Sequence, residues 1–287
     1  MMEGVATGPL STDTLPRGGT MKLLLALDLR RNAESLLDLT IPWLSVLRAT
    51  VDVATVVPEV TDAHREGLNA HLARIPEASR GVVRAEAGDH IPAALGKLAE
   101  GYDAMIVGAK PDPESTSFWL GTVTEQLVRF CPRSVFVVRT PPRVGVAPKM
   151  LFAVDPNEPD PLFPAVGRWS GVFGGTVDLL TVDELSRPRH VDNPGWDEML
   201  ERAALGYERE HTERLSRVRD QYLPEAARGE VHVARGGAAA VILEHAKRYD
   251  LVAVGTHERG VLTRAVLGSV AERVVRGSPC SVLVVRP

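Results

Sequence analysis

The sequence predicts an α/β fold: two tandem, doubly wound, mostly parallel five-stranded sheets related by a pseudo-twofold axis. Three observations lead to this prediction. Short β-branched runs alternate with segments of helical periodicity. The second half of the chain repeats the first at fixed offsets. With 287 residues, 44% of them hydrophobic, the chain is long enough to bury two cores of ordinary domain size.

The repeat is clearest at the end of each half. The segment Asp103-Ala-Met-Ile-Val-Gly108 matches Asp250-Leu-Val-Ala-Val-Gly255 at an offset of 147 residues (250 − 103). The same offset relates Gly121-Thr122 to Gly268-Ser269, Glu125 to Glu272, Val128 to Val275, Ser134 to Ser281 and Arg139 to Arg286. The half beginnings, 21–28 and 148–155, match at an offset of 127 (155 − 28). The second half therefore carries 20 additional residues (147 − 127) in its middle.

Each half reads as alternating strands and helices. The strand candidates are 21–28, 50–57, 81–86, 103–108 and 134–139, then 149–155, 176–182, 230–234, 250–255 and 281–286. The helical patterns between them include 33–48, 90–100, 121–130, 238–248 and 268–277. Such short apolar strands are typical of a parallel sheet buried on both faces, connected by right-handed crossovers.

The additional residues of the second half fall largely in one further helix. Apolar and aromatic residues recur there at steps of three and four: Leu200, Ala204, Tyr207, His211, Leu215, Val218 and Tyr222. This seam has two interpretations. The helix packs on its own sheet, or part of it projects and meets another subunit.

The proposed domain limits follow from the repeat. Residues 1–20 are a Gly-, Thr- and Pro-rich leader without the basic start and apolar stretch of a secretory signal, and we expect a loose tail. Domain 1 spans 21–140, a Pro-rich linker spans 141–148, and domain 2 spans 149–287.

Composition narrows the class of protein. A formal charge of −4 offers no basic surface for nucleic acid, and no apolar run approaches the length of a membrane span. The two cysteines, Cys131 and Cys280, favour a reducing compartment, so we expect a cytoplasmic protein. Both are expected to be small buried fillers.

The candidate site lies beyond the carboxyl ends of the strands, where open α/β sheets bind ligands. An aspartate closes the first strand of each half, Asp28 or Asp155. A loop then joins strand four to the next helix, from Gly108 to Gly121 and from Gly255 to Gly268. Exposed amides and the positive end of the helix dipole favour an anion at such a helix start.

This strand–Gly–loop–Gly-Ser/Thr–helix unit, followed by a Val-rich strand, resembles the universal stress protein family over nearly the whole chain after residue 20. The resemblance implies ATP, with Mg²⁺, cradled by the loop amides while the strand-one aspartate and a strand-two backbone position hold adenosine. In the second half it assigns Asp155, Val182, Gly255, Gly268, Ser269 and Val270 to nucleotide binding. The first-half counterparts are Asp28, Val56, Gly108, Gly121 and Thr122.

Both halves depart from the family pattern at the second glycine of the loop. The second half has Glu258, whose carboxylate would repel a triphosphate unless it turns away or shares a cation. The first half has Pro111, which has no amide to donate. We therefore expect a degenerate site in the first half and the candidate nucleotide site in the second.

The expected function is stress-associated nucleotide binding for regulation rather than catalysis. The alternative is an interaction scaffold in which both sites have decayed. Slow ATP hydrolysis is a third reading, although the sequence shows no evident general base or set of metal ligands. His64 and His71, seven residues apart, are expected to form a solvated helix face rather than a metal site.

The final strand of each half is apolar and close to a sheet edge, and unpaired edges invite partners. The resemblance implies that these edges pair the two domains, here within one chain. The sequence leaves open whether that unit forms a homodimer.

Overall fold

Each half of the protein forms five parallel strands in the order third, second, first, fourth and fifth. The computed structural model describes residues 20–111, 118–155, 162–184, 194–256 and 267–286. The leader 1–19 thus lies outside the described residues. The tandem doubly wound α/β fold predicted from the repeat is confirmed.

The first half begins at β1 and ends at β7. Its elements are β1 (Met21–Ala26), α1 (Ala33–Val46), β2 (Ala49–Val57), α2 (Asp62–Arg74), β3 (Arg80–Ala87), α3 (Ile91–Ala99), β4 (Ala104–Gly108), α4 (Thr122–Phe130) and β7 (Ser134–Val138). A short antiparallel pair, β5 (Lys110–Pro111) and β6 (Phe118–Trp119), lies between β4 and α4.

The second half repeats this order without the short pair among its described residues. Its elements are β8 (Lys149–Ala153), α5 (Leu162–Phe173), β9 (Thr176–Asp183), α6 (Pro194–Tyr222), β10 (Arg228–Arg235), α7 (Ala238–Ala246), β11 (Leu251–Gly255), α8 (Ser269–Gly277) and β12 (Ser281–Val285).

The predicted first strands end too late in both halves. β1 stops at Ala26 and β8 at Ala153, so Asp28 and Asp155 lie two residues beyond the strands. In the first half the reason is a turn: the Asp28 side chain accepts a hydrogen bond from the Arg30 amide at 3.0 Å. The aspartates are therefore lifted out of the sheet onto its carboxyl edge.

The two halves join into one ten-stranded sheet because β7 and β12 pair antiparallel. Phe136 lies opposite Leu283, its own counterpart at the 147-residue offset, so the pseudo-twofold axis passes through this pair. The predicted internal pairing of the final strands is confirmed. The pairing leaves β3 and β10 as the outer strands of the sheet.

One core lies on each face of the sheet, and each core continues through both halves. The face covered by α1 and α5 carries an aromatic cluster at the junction. The Trp43 ring lies 5.3 Å from that of Phe136 and 5.5 Å from that of Phe173, both edge-on. The Trp43 indole donates a 2.8 Å hydrogen bond to the Thr140 carbonyl. The halves are thus held by a shared core as well as by the strand pair.

The additional residues of the second half lie in α6, which has 29 residues where α2 has 13. Its seam packs on its own sheet: Ala204, Leu215 and Val218 are buried, and Tyr207, His211 and Tyr222 are half-buried. The first interpretation of the seam is thus confirmed for these residues, while the side chain of Leu200 lies outside the described part. Within the described ranges, no helix has the length and apolarity that a bilayer span requires.

Candidate functional site

The strand order of the second half reverses between β8 and β11, which places a crevice at their carboxyl ends. Ala153 pairs with Val254, so the residues that follow each strand are neighbours across this crevice. One side carries Asp155, which is half-exposed, and the other carries Gly255, the last residue of β11. The structure therefore brings together two of the residues that the sequence assigned to the site.

Helix α8 presents its amino end at the same edge, because it leads back from the loop after β11 to the start of β12. Gly268 is the N-cap, with φ −70° and ψ 158°, and its carbonyl accepts the Glu272 amide at 2.9 Å. The next amides of the first turn have no acceptor within the helix, so they and the dipole can meet an anion. Ser269 is exposed beside them and Val270 is half-buried.

Val182 lies near the carboxyl end of β9, the neighbour of β8, and is 7% exposed. Its side chain is part of the core on the α7 and α8 face. Only its backbone can therefore take the role that the resemblance implies. Glu258, whose effect on phosphate binding the sequence raised, lies outside the described residues, as does the rest of the loop 257–266.

The first half repeats the backbone of the site. Gly121 is the N-cap of α4 with φ −62° and ψ 154°, and its carbonyl accepts the Glu125 amide at 2.9 Å. Thr122 follows on the surface, and Val56 is buried in β2. Two helix starts built alike at equivalent places confirm that the repeat extends to the geometry of this edge.

Side chains around the first-half site differ from those of the second. A Cβ on Gly108 would lie 3.2 Å from the Leu36 side chain, and the Gly108 carbonyl accepts the Thr124 hydroxyl at 3.0 Å. Thr124 has Ala271 as its counterpart in α8. Pro111 belongs to the short pair β5 and β6, opposite Phe118. In the first half, Leu36 and Thr124 therefore contact Gly108 within the fold.

A second repeated arrangement, which sequence reasoning missed, lies between the second and third strands of each half. Asp52, 2% exposed, accepts a 2.7 Å hydrogen bond from the Tyr102 hydroxyl and a 2.9 Å bond from the Val82 amide. In the second half, Asp178 accepts from the Tyr249 hydroxyl at 2.7 Å and from the Glu230 amide at 2.8 Å. The tyrosines are 147 residues apart, a signal that was present in the sequence.

Each buried carboxylate packs closely against a glycine and raises the pKa of the tyrosine that donates to it. A Cβ on Gly81 would lie 2.1 Å from the Asp52 oxygen, and one on Gly229 would lie 1.8 Å from that of Asp178. Burial and the neighbouring carboxylate raise the pKa of Tyr102 to about 12, and they raise the pKa of Tyr249 in the same way. These tyrosines stay protonated at neutral pH and act as hydrogen-bond donors that stabilise the fold.

The remaining sequence candidates have structural roles. Asp103 and Asp250 accept the backbone amides of Lys22 and Lys149, each at 2.8 Å, so each fixes the start of the neighbouring first strand. Cys131 and Cys280 are buried, and burial raises the pKa of both thiols, that of Cys280 to about 11.

The two histidines of α2 make separate local contacts. His64 completes the N-terminal cap with Thr61, and the His71 ring lies 3.4 Å from Glu34. In the described ranges, no group of three or more histidine, cysteine or acidic residues is placed to hold a metal ion.

Comparison with known folds covers both halves. A universal stress protein from Archaeoglobus fulgidus superimposes with a TM-score of 0.62 at 18% identity, covering 93% of this chain and 98% of its own. A protein of unknown function from Pseudomonas aeruginosa PAO1 gives a TM-score of 0.64 at 18% identity, covering 93% of each chain. At these identities the similarity shows the fold.

Comparison by sequence finds relatives for only part of the chain. A universal stress protein from Mycolicibacterium smegmatis is 41% identical over 98 residues, which is 33% of this chain. The match spans 30% of that relative's length. The model of the universal stress protein family matches residues 148–286, the second half described above. Residues 148–286 therefore form a domain of the universal stress protein family, and the first half of the chain repeats the fold of that domain.

Proposed function

We propose that the protein is a stress-response regulator that binds ATP, with Mg²⁺, in its second half. The observation that carries the proposal is the crevice at the ends of β8 and β11. Asp155, Gly255 and the amino end of α8 meet there, beside the backbone of Val182. A carboxylate suits the hydroxyls of a ribose, and helix amides suit a phosphate.

Regulatory use is proposed because the assigned groups serve binding. They are backbone amides, small residues and one carboxylate, whereas acid–base chemistry needs a positioned pair of titratable groups. Mg²⁺ would be held mainly by the phosphates of the nucleotide, as is usual for this ion. The first half would act as the scaffold that completes the sheet and the two cores.

The second candidate function is an interaction scaffold in which neither half binds a nucleotide. Its support is the first half, where the Asp28 carboxylate accepts the Arg30 amide and Pro111 pairs with Phe118 in the short antiparallel pair of strands. Glu258 would extend the same argument to the second half.

A calorimetric titration of ligand-free protein with Mg-ATP separates the two functions. We expect a stoichiometry near one, abolished in Gly268→Val and kept in the matched first-half variant Gly121→Val. Both glycines have a backbone conformation that any residue adopts, so each substitution adds bulk without backbone strain. AMP and a cyclic dinucleotide would be titrated in parallel to identify the preferred nucleotide.

Binding would also raise the unfolding temperature, because a ligand at 100 times its Kd stabilises the folded state by about 2.7 kcal/mol. If millimolar ATP gives neither a heat of binding nor a higher unfolding temperature, the proposed function is rejected and the interaction scaffold is favoured.

A further inference from the structure

Helix α6 distinguishes the candidate site from its first-half counterpart. At 1.5 Å per residue, its 29 residues span about 43 Å, and the 13 residues of α2 span about 20 Å. Both helices lead from the carboxyl end of the second strand back to the start of the third. The 16 additional residues (29 − 13) therefore give the second half about 24 Å more helix beside its sheet than the first.

Two side-chain contacts fix how α6 lies along the sheet. Near its carboxyl end, Arg219 donates a 3.1 Å hydrogen bond to the carbonyl of Gly229, at the start of β10. Further back along the helix, Glu208 pairs with Arg235 at 3.7 Å, and Arg235 is the last residue of β10. Glu208 is thus level with the carboxyl ends of the strands. The helical residues 194–207 continue past this edge, on the side where the crevice opens.

Tyr207 is the seam residue at this level of the helix. Its ring is half-buried and lies 3.9 Å, centre to centre, from that of His211. Its hydroxyl lies within electrostatic range of the carboxylates of Asp183, the last residue of β9, and of Asp155. Burial, followed by the charge of Asp183, raises the pKa of Tyr207, so the phenol is neutral at physiological pH. Tyr207 therefore lies at the carboxyl edge of the sheet, on the same edge as Asp155, the residue that the proposed function assigns to adenosine.

We propose that Tyr207 is a specificity-determining residue of the second-half site, forming an aromatic wall against which a purine base stacks. This inference rests on the proposed function and adds a residue that the loop pattern does not contain. A tyrosine ring offers a flat apolar face with little conformational freedom to lose. In the first half α2 begins only at Asp62 and has no corresponding turns, so the wall is present in the second half alone.

The test compares Tyr207→Ala, Tyr207→Leu and Tyr207→Phe with wild type by calorimetric titration with Mg-ATP and Mg-CTP. Loss of base stacking should weaken ATP binding roughly tenfold in the alanine and leucine variants, while phenylalanine retains it. The purine has the larger stacking surface, so the preference for ATP over CTP should fall together with affinity. Leu205→Ala is the matched control, because Leu205 is on the same helix and 57% exposed.

Each outcome decides between the proposals. Tight ATP binding with an unchanged ATP-to-CTP ratio in folded Tyr207→Ala or Tyr207→Leu would overturn the aromatic wall and leave the proposed function intact. Tyr207→Leu preserves apolar packing, so a folding defect in the alanine variant does not prevent this decision. If wild-type protein binds neither nucleotide, the proposed function fails and the aromatic wall fails with it.

Discussion

Asp250 shows how one buried carboxylate ties the linker to the second half. Its oxygens accept hydrogen bonds from the Arg143 guanidinium, both at 2.9 Å, and from the backbone amides of Arg143 and Lys149 at 3.0 and 2.8 Å. Burial alone would raise the pKa of Asp250, but the hydrogen bonds from Arg143 and Lys149 outweigh burial and hold it below its ordinary value. The ionised form is thus favoured in the folded protein.

Asp250→Asn should make the protein less sensitive to acid. A depressed folded-state pKa stabilises the fold above the unfolded value near pH 4, and this contribution disappears as pH falls through the folded value. We expect the variant to be less stable by about 1–3 kcal/mol at pH 7. Its free energy of unfolding should also fall less steeply between about pH 5 and pH 2. Denaturant titrations across that range measure both effects.

Arg143→Gln removes the guanidinium and leaves the carboxylate, so it should be destabilising at neutral pH as well. The effects of the two substitutions should not add in the double variant, since they remove one interaction. Identical acid profiles for wild type and Asp250→Asn would contradict the role of Asp250.

At the scale of an element, α5 and α6 of the second half approach closely at one glycine. A Cβ on Gly167 would lie 2.4 Å from the carbonyl oxygen of Tyr222, near the end of α6. One turn before, the rings of Phe163 and Tyr222 stack at 5.9 Å. Gly171, one turn further along α5, is exposed and has nothing within 4 Å of an added Cβ. The same helix thus contains a glycine that packing requires and one that it does not.

Alanine at these two positions should have opposite effects. Gly167→Ala would force α5 and α6 apart and destabilise the protein by roughly 1–3 kcal/mol. Gly171→Ala should stabilise it by about 1 kcal/mol, the difference in helix propensity between the two residues. Urea unfolding of both variants provides the comparison. A neutral Gly167→Ala would mean that the two helices do not pack at this distance.

At the scale of the whole molecule, two buried arginines join the halves reciprocally. Arg139 follows β7 and donates to the carbonyls of Val275 and Ser278 at the end of α8, the latter at 2.7 Å. Arg286 follows β12 and donates to the Val128 carbonyl in α4 at 2.7 Å. Each guanidinium therefore satisfies carbonyls at the carboxyl end of the other half's helix, where a cation is favoured.

Surface ion pairs repeat the same symmetry above the buried arginines. Arg129 of α4 pairs with Glu272 of α8 at 2.7 Å, and Arg276 of α8 pairs with Glu125 of α4 at 2.6 Å. Burial lowers the pKa of Arg139 to about 10, which leaves it charged at neutral pH.

The edges of β7 and β12 already pair with each other inside the chain. A homodimer of the tandem unit would therefore need another surface.

Truncating a buried arginine should lower the free energy of unfolding more than truncating an exposed one. Arg139→Met leaves carbonyls of α8 without their donor, and we expect a loss of about 1–3 kcal/mol. Arg276→Met removes ion pairs from a side chain that is 51% exposed, so its cost should stay below about 1 kcal/mol. Chemical denaturation of the two variants tests the difference. Equal costs would show that the buried caps do not stabilise the junction.

The sequence by itself determined the duplication, the alternation of strands and helices and the glycine at each of the two helix starts, Gly121 and Gly268. These features depend on hydrophobic period and turn chemistry, which are local along the chain. It misplaced the ends of the first strands by two residues, because a turn at Asp28 decides where the strand stops.

Only the tertiary structure decided which distant side chains meet. Asp52 and Tyr102 are 50 residues apart in the chain, and Arg139 reaches a carbonyl 139 residues away. The placement of Tyr207 at the same edge of the sheet as Asp155 depends on the length of α6 and on its alignment with β10 through Glu208 and Arg235. Such contacts follow from packing and register across the whole sheet, and no local pattern in the chain encodes them.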